Sequence, residues 1–460
     1  MALQPLPSRA INKSRLLFIA VVFALAPISS PTAEGRALAR LPGQSVLSAN
    51  PPQATSQEPP EKAIAGYTLP PELYRKAHRL SQIEFWGALA GIVYGWIILW
   101  LVLRWRLAPT YREWAEKAVP SRFLQAVIFA PALLITLAVL NIPLDVAEHW
   151  VSRKFGISIQ GWPSWAWDWT KEQIIVLIVG TLLVWILYAV IRRSPARWWF
   201  HFWMISLPLM ALAVFLQPLI IDPMFHKFEP LSQKDPGLTA QLQQLVQRAG
   251  QDIPQERMFW MGAGEKTTAL NAYVTGIGAS KRIVVWDTTI AKMTTPQIVF
   301  VAGHEMGHYV LNHVWKGMAF AAVGLFVLFY LGYRTIGLLL ANFGQRWQIR
   351  SLDDWASLPA LLLLISVFSF IGSPIDSAVS RHIEHQADQY GLEVTHGLTP
   401  DSSQVAAQSF QVLGEVDLDD PDPNPVDVFL FYSHPPIRDR VQFALTYQPW
   451  AHGDEPQFVK

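Results

Sequence analysis

The sequence contains no cysteine among its 460 residues. That absence excludes disulfide bonds, thiolate metal ligands and a cysteine nucleophile together. Charged residues are also scarce: they make up 15% of the chain, whereas hydrophobic residues make up 51% and tryptophan occurs 20 times. This composition is typical of integral membrane proteins. The formal net charge is +1, and no basic run is interleaved with aromatic residues. The sequence therefore predicts that nucleic acid is not a partner.

Six stretches of the sequence are apolar and long enough to cross a lipid bilayer. Trp86, Trp100 and Trp199 lie near the ends of such stretches, as in the aromatic belts of membrane proteins. The expected fold is a mainly α-helical integral membrane protein with a small α+β element, and the lipid bilayer is an expected partner. The predicted spans are 85–103, 122–141, 173–191, 199–221, 316–335 and 357–377, with a loop at 142–172.

The N-terminal region precedes the first of these spans. Residues 16–28 form a shorter apolar run that follows three basic residues. A basic segment before a short apolar core fits a secretory signal, so residues 1–33 are expected to be a signal peptide or an uncleaved signal anchor. Residues 34–68 are rich in proline, alanine, serine and glutamine. They are expected to form a disordered linker because they offer little to bury.

Residues 304–308 read His-Glu-Met-Gly-His on a predicted helix at 296–313. Histidines four residues apart lie on one face of a helix, about one turn from each other. His304 and His308 are therefore predicted to bind one zinc ion per chain. Glu305 would lie beside the metal as the general base toward a bound water. The alternative is a helix whose histidines are ordinary polar or core residues.

A zinc site of this kind needs a third ligand. An extended motif with a third histidine is excluded because Val314 occupies that position, and His313 is expected to be an outer or structural residue. A distant aspartate within a later span would need an Asp-Gly pair that those spans lack. Glu384 and Asp388 share one face of a later predicted helix, so Glu384 is predicted to bind zinc while Asp388 accepts the outer N–H of a ligating histidine. Arg381, one turn earlier, is expected to hold either carboxylate.

Three motifs follow one another in the chain: residues 304–308, Ser380-Arg381-x-x-Glu384-x-Gln386-Ala387-Asp388 and Ser433-His434-Pro435-Pro436. Together they resemble the type I CAAX prenyl endopeptidase family, whose members are multi-spanning zinc metallopeptidases. The likeness runs from about Leu69 to Tyr447. It implies helices that enclose a hydrophilic chamber, and a peptide or protein substrate that is a prenylated CAAX protein. Quality control of damaged membrane proteins fits the residues equally well.

A short predicted strand precedes the zinc motif. An edge strand beside the metal can bind an extended peptide through main-chain hydrogen bonds. The family resemblance places substrate contact at Asn271, Ala272 and Tyr273, and the Asn271 side chain could add a hydrogen bond to the peptide. An ordinary sheet strand is the alternative. The predicted elements of this region are a helix at 237–250 and strands at 257–261, 268–275 and 281–286.

The C-terminal part supplies further candidate site residues. His434 is predicted to donate a hydrogen bond to the developing oxyanion, with Tyr432 as the alternative donor. Arg440 is expected to pair with Asp388 or another buried carboxylate. The acidic stretch 415–427 is expected to be a solvated loop. Calcium binding there is disfavoured because the glycine of a regular calcium loop is missing.

These observations divide the chain and predict its function. A membrane-embedded zinc endopeptidase is favoured over a catalytically silent membrane chaperone or scaffold, because a scaffold would not need Glu305. A transporter is disfavoured because charged residues cluster at one face of the membrane rather than within spans. The expected parts are 1–33, 34–68, a membrane domain of four spans at 69–221, a zinc-peptidase core at 222–315, two spans at 316–379 and a C-terminal part at 380–460 that carries the third ligand.

The distribution of basic residues predicts the orientation of the chain in the cell membrane. Three predicted loops on one side, 104–122, 192–197 and 334–350, carry eleven lysines and arginines. The other side carries six near its spans, namely Arg75, Lys76, Arg79, Arg153, Lys154 and Lys171. The positive-inside rule therefore places the zinc domain on the non-cytoplasmic side. The family resemblance implies the opposite orientation for eukaryotic relatives.

Overall fold

The computed structural model describes residues 63–276 and 278–459. The predicted signal segment and residues 34–62 of the predicted linker lie outside the described residues. The prediction of a disordered linker is wrong for residues 64–68. Tyr67 is buried and donates a hydrogen bond to the carbonyl oxygen of Asp419, and the Ile64 N–H donates to the Gln404 side chain. Gly414 permits this contact, because a Cβ there would lie 2.6 Å from the Tyr67 hydroxyl oxygen.

Long apolar helices form the first half of the described chain. They extend beyond the predicted spans, since a helix of 34 residues rises about 50 Å while the hydrocarbon core is about 30 Å thick. The loop predicted at 142–172 comprises only six residues in the structure, 156–161. It begins where Gly156 adopts φ +78° and ends the preceding helix. The helices are α1 (Pro71–Arg104), α2 (Leu107–Ala118), α3 (Arg122–Phe155), α4 (Trp162–Arg193) and α5 (Trp198–Leu216), which continues through a π-helical turn (Gln217–Ile221) into α6 (Asp222–Phe225).

A four-stranded sheet follows α6, in the spatial order β1-β2-β4-β3. Strands β2 and β4 are parallel, and the two outer strands are antiparallel to their neighbours. The predicted strands at 257–261 and 281–286 are observed within one residue, but the sequence did not predict β1, which is short and polar. Strand β3 lies at an edge of the sheet. The elements are β1 (Lys227–Pro230), α7 (Leu231–Lys234), α8 (Pro236–Arg248), β2 (Met258–Gly262), β3 (Ala272–Thr275), β4 (Arg282–Trp286), α9 (Asp287–Lys292) and α10 (Thr295–Val310).

The helix predicted at 296–313 is divided into two helices. Helix α10 begins with a capping box, in which Thr294 and Gln297 bond each other's backbone N–H groups. It ends at Val310, and Asn312 adopts a left-handed conformation with φ +59°. Asparagine tolerates this conformation better than most residues. Helix α11 (His313–Trp347) then begins, so His313 belongs to a different helix from His304.

The last long helix, α12 (Leu358–Thr395), has 38 residues. It carries both the predicted span 357–377 and the predicted ligand Glu384 without interruption. The predicted division of the chain at residue 380 therefore does not correspond to a break in the structure. Four shorter helices complete the C-terminal part: α13 (Ser402–Asp417), α14 (Pro425–Phe431), α15 (Ile437–Thr446) and α16 (Pro449–His452). Among the described residues, six helical segments are apolar and long enough to span a membrane, namely α1, α3, α4, α5 with α6, α11 and α12.

The acidic stretch 415–427 is not a solvated loop. Its first residues complete α13, and α1 with the segment before it contacts Asp419 and Asp420. The imidazole Nδ1 of His78 in α1 lies 2.8 Å from Asp420 Oδ2. The prediction of solvent exposure is therefore wrong for Asp417, Asp419, Asp420 and Asp427, which are 1–4% exposed.

Contacts connect the three basic segments that are predicted to share one side, either directly or through residues 353–354. Arg112 in α2 pairs with Asp354 at 2.6 Å, and both side chains are buried. The Arg350 guanidinium lies 2.9 Å from the Glu116 carboxylate. Arg192, at the end of α4, donates to the carbonyl oxygen of Asp353. This end of the molecule is therefore assembled from 104–122, 192–197 and 334–350, together with the residues before α12.

Helices α10 and α12 cross closely because glycines lie at their contact. A Cβ on Gly307 would lie 3.0 Å from the Tyr390 ring. A Cβ on Gly391 would lie 3.1 Å from the backbone nitrogen of His304. Both distances are shorter than ordinary van der Waals contact. Phe300, Met306 and Tyr390 are buried in the main hydrophobic cluster around this crossing.

We expect Gly391→Ala to destabilise the protein by about 1–3 kcal/mol, the usual cost of overpacking a core. The added methyl group meets backbone atoms, which cannot move aside as the end of a flexible side chain can. Thermal unfolding in detergent or nanodiscs measures the effect. Gly372→Ala, in the same helix, is the matched control because no atom lies within 4 Å of its added Cβ. Equal stability of the two variants would contradict the close-contact interpretation.

Candidate metal centre

His304, His308 and Glu384 form a buried group whose donor atoms lie within 4.8 Å of one another. The two histidines come from α10 and the glutamate comes from α12. The Nε2 atoms of the two imidazoles are 3.3 Å apart. Glu384 places Oε2 at 3.3 Å from His304 Nε2 and Oε1 at 3.8 Å from His308 Nε2. The crossing of α10 and α12 therefore brings together the three predicted ligands.

The outer nitrogen of His304 faces a charged pair. His304 Nδ1 lies 2.8 Å from Asp388 Oδ1. Arg440 donates to both oxygens of Asp388, from Nε at 2.9 Å and from Nη2 at 2.6 Å. The guanidinium is 4% exposed and stacks on the Phe410 ring. Asp388 and Arg440 thus occupy the positions that the sequence predicts for them.

The outer nitrogen of His308 faces neutral groups. His308 Nδ1 lies 3.2 Å from His313 Nδ1, and His313 Nε2 lies 3.1 Å from Gln386 Oε1. If His308 Nε2 binds a metal, its Nδ1 carries the proton and donates to His313, which then donates to Gln386. The sequence predicted an outer or structural position for His313 but missed Gln386. Only its place two residues after Glu384 could have indicated it.

The prediction that Arg381 holds a site carboxylate is wrong. Its guanidinium donates two hydrogen bonds of 2.8 Å, to the carbonyl oxygens of Val428 and Tyr432. The reason is that the Arg381 side chain points from α12 toward α14 and the chain that follows it. Arg381 therefore holds the segment before His434, while Arg440 takes the role of pairing with Asp388.

Glu305 and His304 occupy an electrostatic environment created by burial and by nearby carboxylates. Burial raises the pKa of Glu305 to about 8, and Glu384 adds to the rise while His304 opposes it. Burial alone would lower the pKa of His304, but Asp388 and Glu384 raise it to about 10. A divalent cation bound to the three donors would favour ionised Glu305 and neutral His304. A bound cation would therefore replace the protons that these pKa values leave on Glu305 and His304 at neutral pH.

A pocket lies beside His304 and is bordered by the start of β3. Asn271 and Ala272 line it together with His304 and Glu305. The main chain of Asn271 is fixed by Thr289, whose hydroxyl accepts from its N–H and donates to its carbonyl oxygen. No hydrogen bond to the Asn271 side-chain amide occurs within the described part of the chain. That amide is therefore free to bind a ligand in the pocket.

Tyr273 does not line the pocket. Its side chain is 7% exposed and belongs to a separate cluster with Met261, Val284 and Trp286 on the opposite face of the sheet. Successive residues of a strand point to opposite faces, so only one of Ala272 and Tyr273 can face the metal site. The Tyr273 side chain is therefore not placed to contact a ligand in the pocket, and the predicted substrate contact at Tyr273 is left to its main chain. Its backbone remains on the edge strand.

His434 lies beside the donors, on the chain between α14 and α15. Its Nε2 is 3.3 Å from Glu384 Oε2, and its Nδ1 is 3.0 Å from the Ser433 hydroxyl. It lines the same pocket as Asn271 and Glu305. The Tyr432 side chain is buried and does not line that pocket. Of the two predicted oxyanion donors, only His434 is placed to reach a ligand there.

The donor set fits a divalent metal ion. Two imidazole nitrogens and one carboxylate oxygen converge, and Glu384 Oε2 is buried without a hydrogen-bond partner in the described residues. Three protein ligands leave a fourth position for water or substrate, as catalytic metal sites require. Both histidines have outer partners that fix their rings, which such ligands usually need.

Comparisons with known proteins give the same assignment. Residues 232–448 match peptidase family M48, and residues 52–227 match the CAAX prenyl protease N-terminal region with five membrane helices. An uncharacterized metalloprotease of Bacillus subtilis, YhfN, is 38% identical over 83% of this chain and 87% of its own length. CAAX prenyl protease 1 of Saccharomyces cerevisiae is 24% identical over 82% of this chain and 86% of its own length.

The fold is also that of a solved structure. The crystal structure of S. mikatae Ste24p has a TM-score of 0.70 at 22% identity, covering 82% of this chain and 90% of that one. The overall fold is thus shared with a known protein. The chain belongs to peptidase family M48 and is a multi-pass membrane metalloprotease of the CAAX prenyl protease type.

Proposed function

We propose that this protein is an endopeptidase with one zinc ion per chain, held by His304, His308 and Glu384. The observation that carries the proposal is the convergence of these donors with Glu305 at a pocket bordered by an edge strand. Zinc suits a set of two imidazoles and one carboxylate, and when bound it acts as a Lewis acid that lowers the pKa of water and polarises a carbonyl group.

Different residues of the chain carry out the successive steps of peptide hydrolysis. An extended peptide binds along β3, and the Asn271 amide hydrogen-bonds its backbone. Glu305 takes one proton from the attacking water, whose oxygen forms the new bond to the carbonyl carbon. His434 donates a hydrogen bond to the oxyanion as it develops. Glu305 then gives its proton to the nitrogen of the breaking C–N bond, which leaves as the amine.

The substrates we propose are membrane-associated proteins, with prenylated CAAX proteins as the first class to test. The support is the similarity to proteins named CAAX prenyl proteases, which extends over most of both chains. Damaged membrane proteins are a second class, since recognition through main-chain hydrogen bonds tolerates many side chains. A scaffold without turnover is disfavoured because buried Glu305 adjoins the pocket.

We also propose that the zinc site faces the non-cytoplasmic side of the cell membrane. The eleven basic residues of the three inner segments support this orientation. The contacts that connect those segments, directly or through residues 353–354, add support because they bring the basic residues to one end of the helices. The His78–Asp420 contact joins the start of α1 to the C-terminal part that carries Glu384.

Glu305→Gln should abolish peptidase activity while zinc content stays at one per chain. The amide keeps the shape of the side chain but cannot accept a proton, and general acid–base catalysis contributes about 10²–10⁴-fold. Turnover of a fluorogenic CAAX peptide and zinc content by mass spectrometry are the two measurements. Glu265→Gln is the control because its side chain is 79% exposed. Full activity in Glu305→Gln would rule out the proposed mechanism.

Asp388→Asn should weaken zinc binding or turnover by about 10–100-fold, the usual loss when an outer partner of a metal ligand is removed. The amide can no longer provide the negative charge that orients His304 and pairs with Arg440. Competition with a chelator measures zinc affinity independently of activity. Asp439→Asn, next to Arg440 but 56% exposed in its side chain, should behave like the wild type. Wild-type affinity in Asp388→Asn would remove Asp388 from this role.

A reporter that is active only in the cytoplasm, fused after Lys460, should remain inactive in bacterial cells. The same reporter fused within residues 334–350, on the opposite side, should be active and shows that the protein is inserted. The comparison requires equal amounts of both fusion proteins in the membrane fraction. The reverse pattern would show that the zinc site faces the cytoplasm, and it would leave the chemistry of His304, Glu305 and His308 unaffected.

A further inference from the structure

Helix α14 has one buried face and one exposed apolar face. Phe431 and Asp427 are 2% and 4% exposed. Val426 and Phe429, three residues apart and therefore on one side of the helix, are 53% and 58% exposed. A phenylalanine with more than half of its surface exposed on a seven-residue helix needs an explanation, because helix α14 belongs to the part of the chain beyond the last span.

The buried face of α14 packs against the ends of two membrane helices. The Phe431 and Phe85 rings are 6.3 Å apart, and Phe85 is the first residue of the predicted span in α1. The Ser377 hydroxyl donates to the Leu430 carbonyl oxygen at 3.2 Å, and Ser377 ends the predicted span in α12. Leu430 also belongs to the cluster that contains Phe370 of α12. Helix α14 therefore lies at the level where both spans leave the hydrocarbon core.

The two spans that contact α14 also expose apolar side chains near this level. Trp86, next to Phe85, is 66% exposed. On α12, Ile371 and Ile375 are 65% and 63% exposed. Tryptophan is enriched at membrane–water interfaces, so its position marks the same boundary that Phe85 and Ser377 indicate.

We propose that α14 lies in the interface of the bilayer, on the metal-centre side, with Val426 and Phe429 inserted among the lipids. The occupant of this surface is the bilayer itself, because α14 packs against the ends of two membrane spans. Short amphipathic helices bind interfaces in this way, with their apolar face at the boundary of headgroups and acyl chains. The exposed Asp422–Arg438 pair, at 2.7 Å, marks an aqueous side close by in the chain.

The position of α14 connects the bilayer to the catalytic pocket. The helix ends at Phe431, three residues before His434. Arg381 of α12 donates hydrogen bonds to the carbonyl oxygens of Val428, within α14, and of Tyr432, directly after it. Lipid contact at Val426 and Phe429 therefore positions the chain that presents His434. This inference rests on the membrane location of α1 and α12 and does not depend on zinc or on the substrate.

The absence of cysteine from the chain makes the test direct. Single cysteines replace Phe429, Trp86 and Arg438 in turn, each carrying a nitroxide spin label, in full-length protein reconstituted in phosphatidylcholine–phosphatidylglycerol vesicles. Collision rates with oxygen, which concentrates in lipid, and with a water-soluble nickel chelate report depth. The oxygen-to-nickel ratio at Phe429→Cys should be several-fold higher than at Arg438→Cys and comparable with that at Trp86→Cys.

Two outcomes would overturn the proposal. A ratio at Phe429→Cys equal to that at Arg438→Cys would show that α14 is in water. Protection of Phe429→Cys from both reagents would show that a protein surface, such as a second copy of the chain, covers it.

A second variant pair tests insertion by energetics: with the label at Val426→Cys, adding Phe429→Asp should lower the ratio several-fold, whereas adding Phe429→Leu should not. Equal ratios in the two variants would contradict lipid contact at residue 429.

Discussion

The close crossing of α10 and α12 is the contact on which the metal centre depends. His304 and His308 are on one helix, and Glu384 and Asp388 are on the other. Glycines at 307 and 391 let the two backbones approach, so that short histidine and carboxylate side chains meet in a dry core. Without that approach, Glu384 could not lie 3.3 Å from His304. The hydrophobic cluster around the crossing therefore serves to fix donor positions.

The two histidines of the candidate metal centre have different outer partners. His304 faces an aspartate whose charge is offset by buried Arg440, whereas His308 faces the neutral pair of His313 and Gln386. A carboxylate partner makes an imidazole a stronger donor than a neutral partner does. These outer partners thus add one buried carboxylate to the site, that of Asp388, and Arg440 pairs with it. That arrangement limits the desolvation cost of a site that already contains Glu305 and Glu384.

Local patterns predicted the main features, and tertiary contacts decided the rest. The spacing of His304 and His308 and the apolar runs are properties of short segments, which a sequence displays directly. The burial of Asp419 and Asp420 depends on a segment more than 300 residues earlier, and the direction of Arg381 depends on where α14 packs. The helix ends were predicted incorrectly for a related reason. Polar residues beyond the bilayer remain helical, so a prediction from hydropathy alone makes α12 too short.

Helix α12 is continuous from its span to Glu384, and the two histidines stand on α10, which a two-residue turn joins to another span, α11. Glu384 follows Ser377 by seven residues, or about 10 Å of helical rise. Membrane helices tilt when bilayer thickness does not match their apolar length. A tilt of about 10° around Ser377 moves Glu384 by roughly 2 Å. Because Glu384 lies on a membrane helix and the histidines lie on a helix joined to another one, we expect the separation of the metal-binding atoms to depend on bilayer thickness.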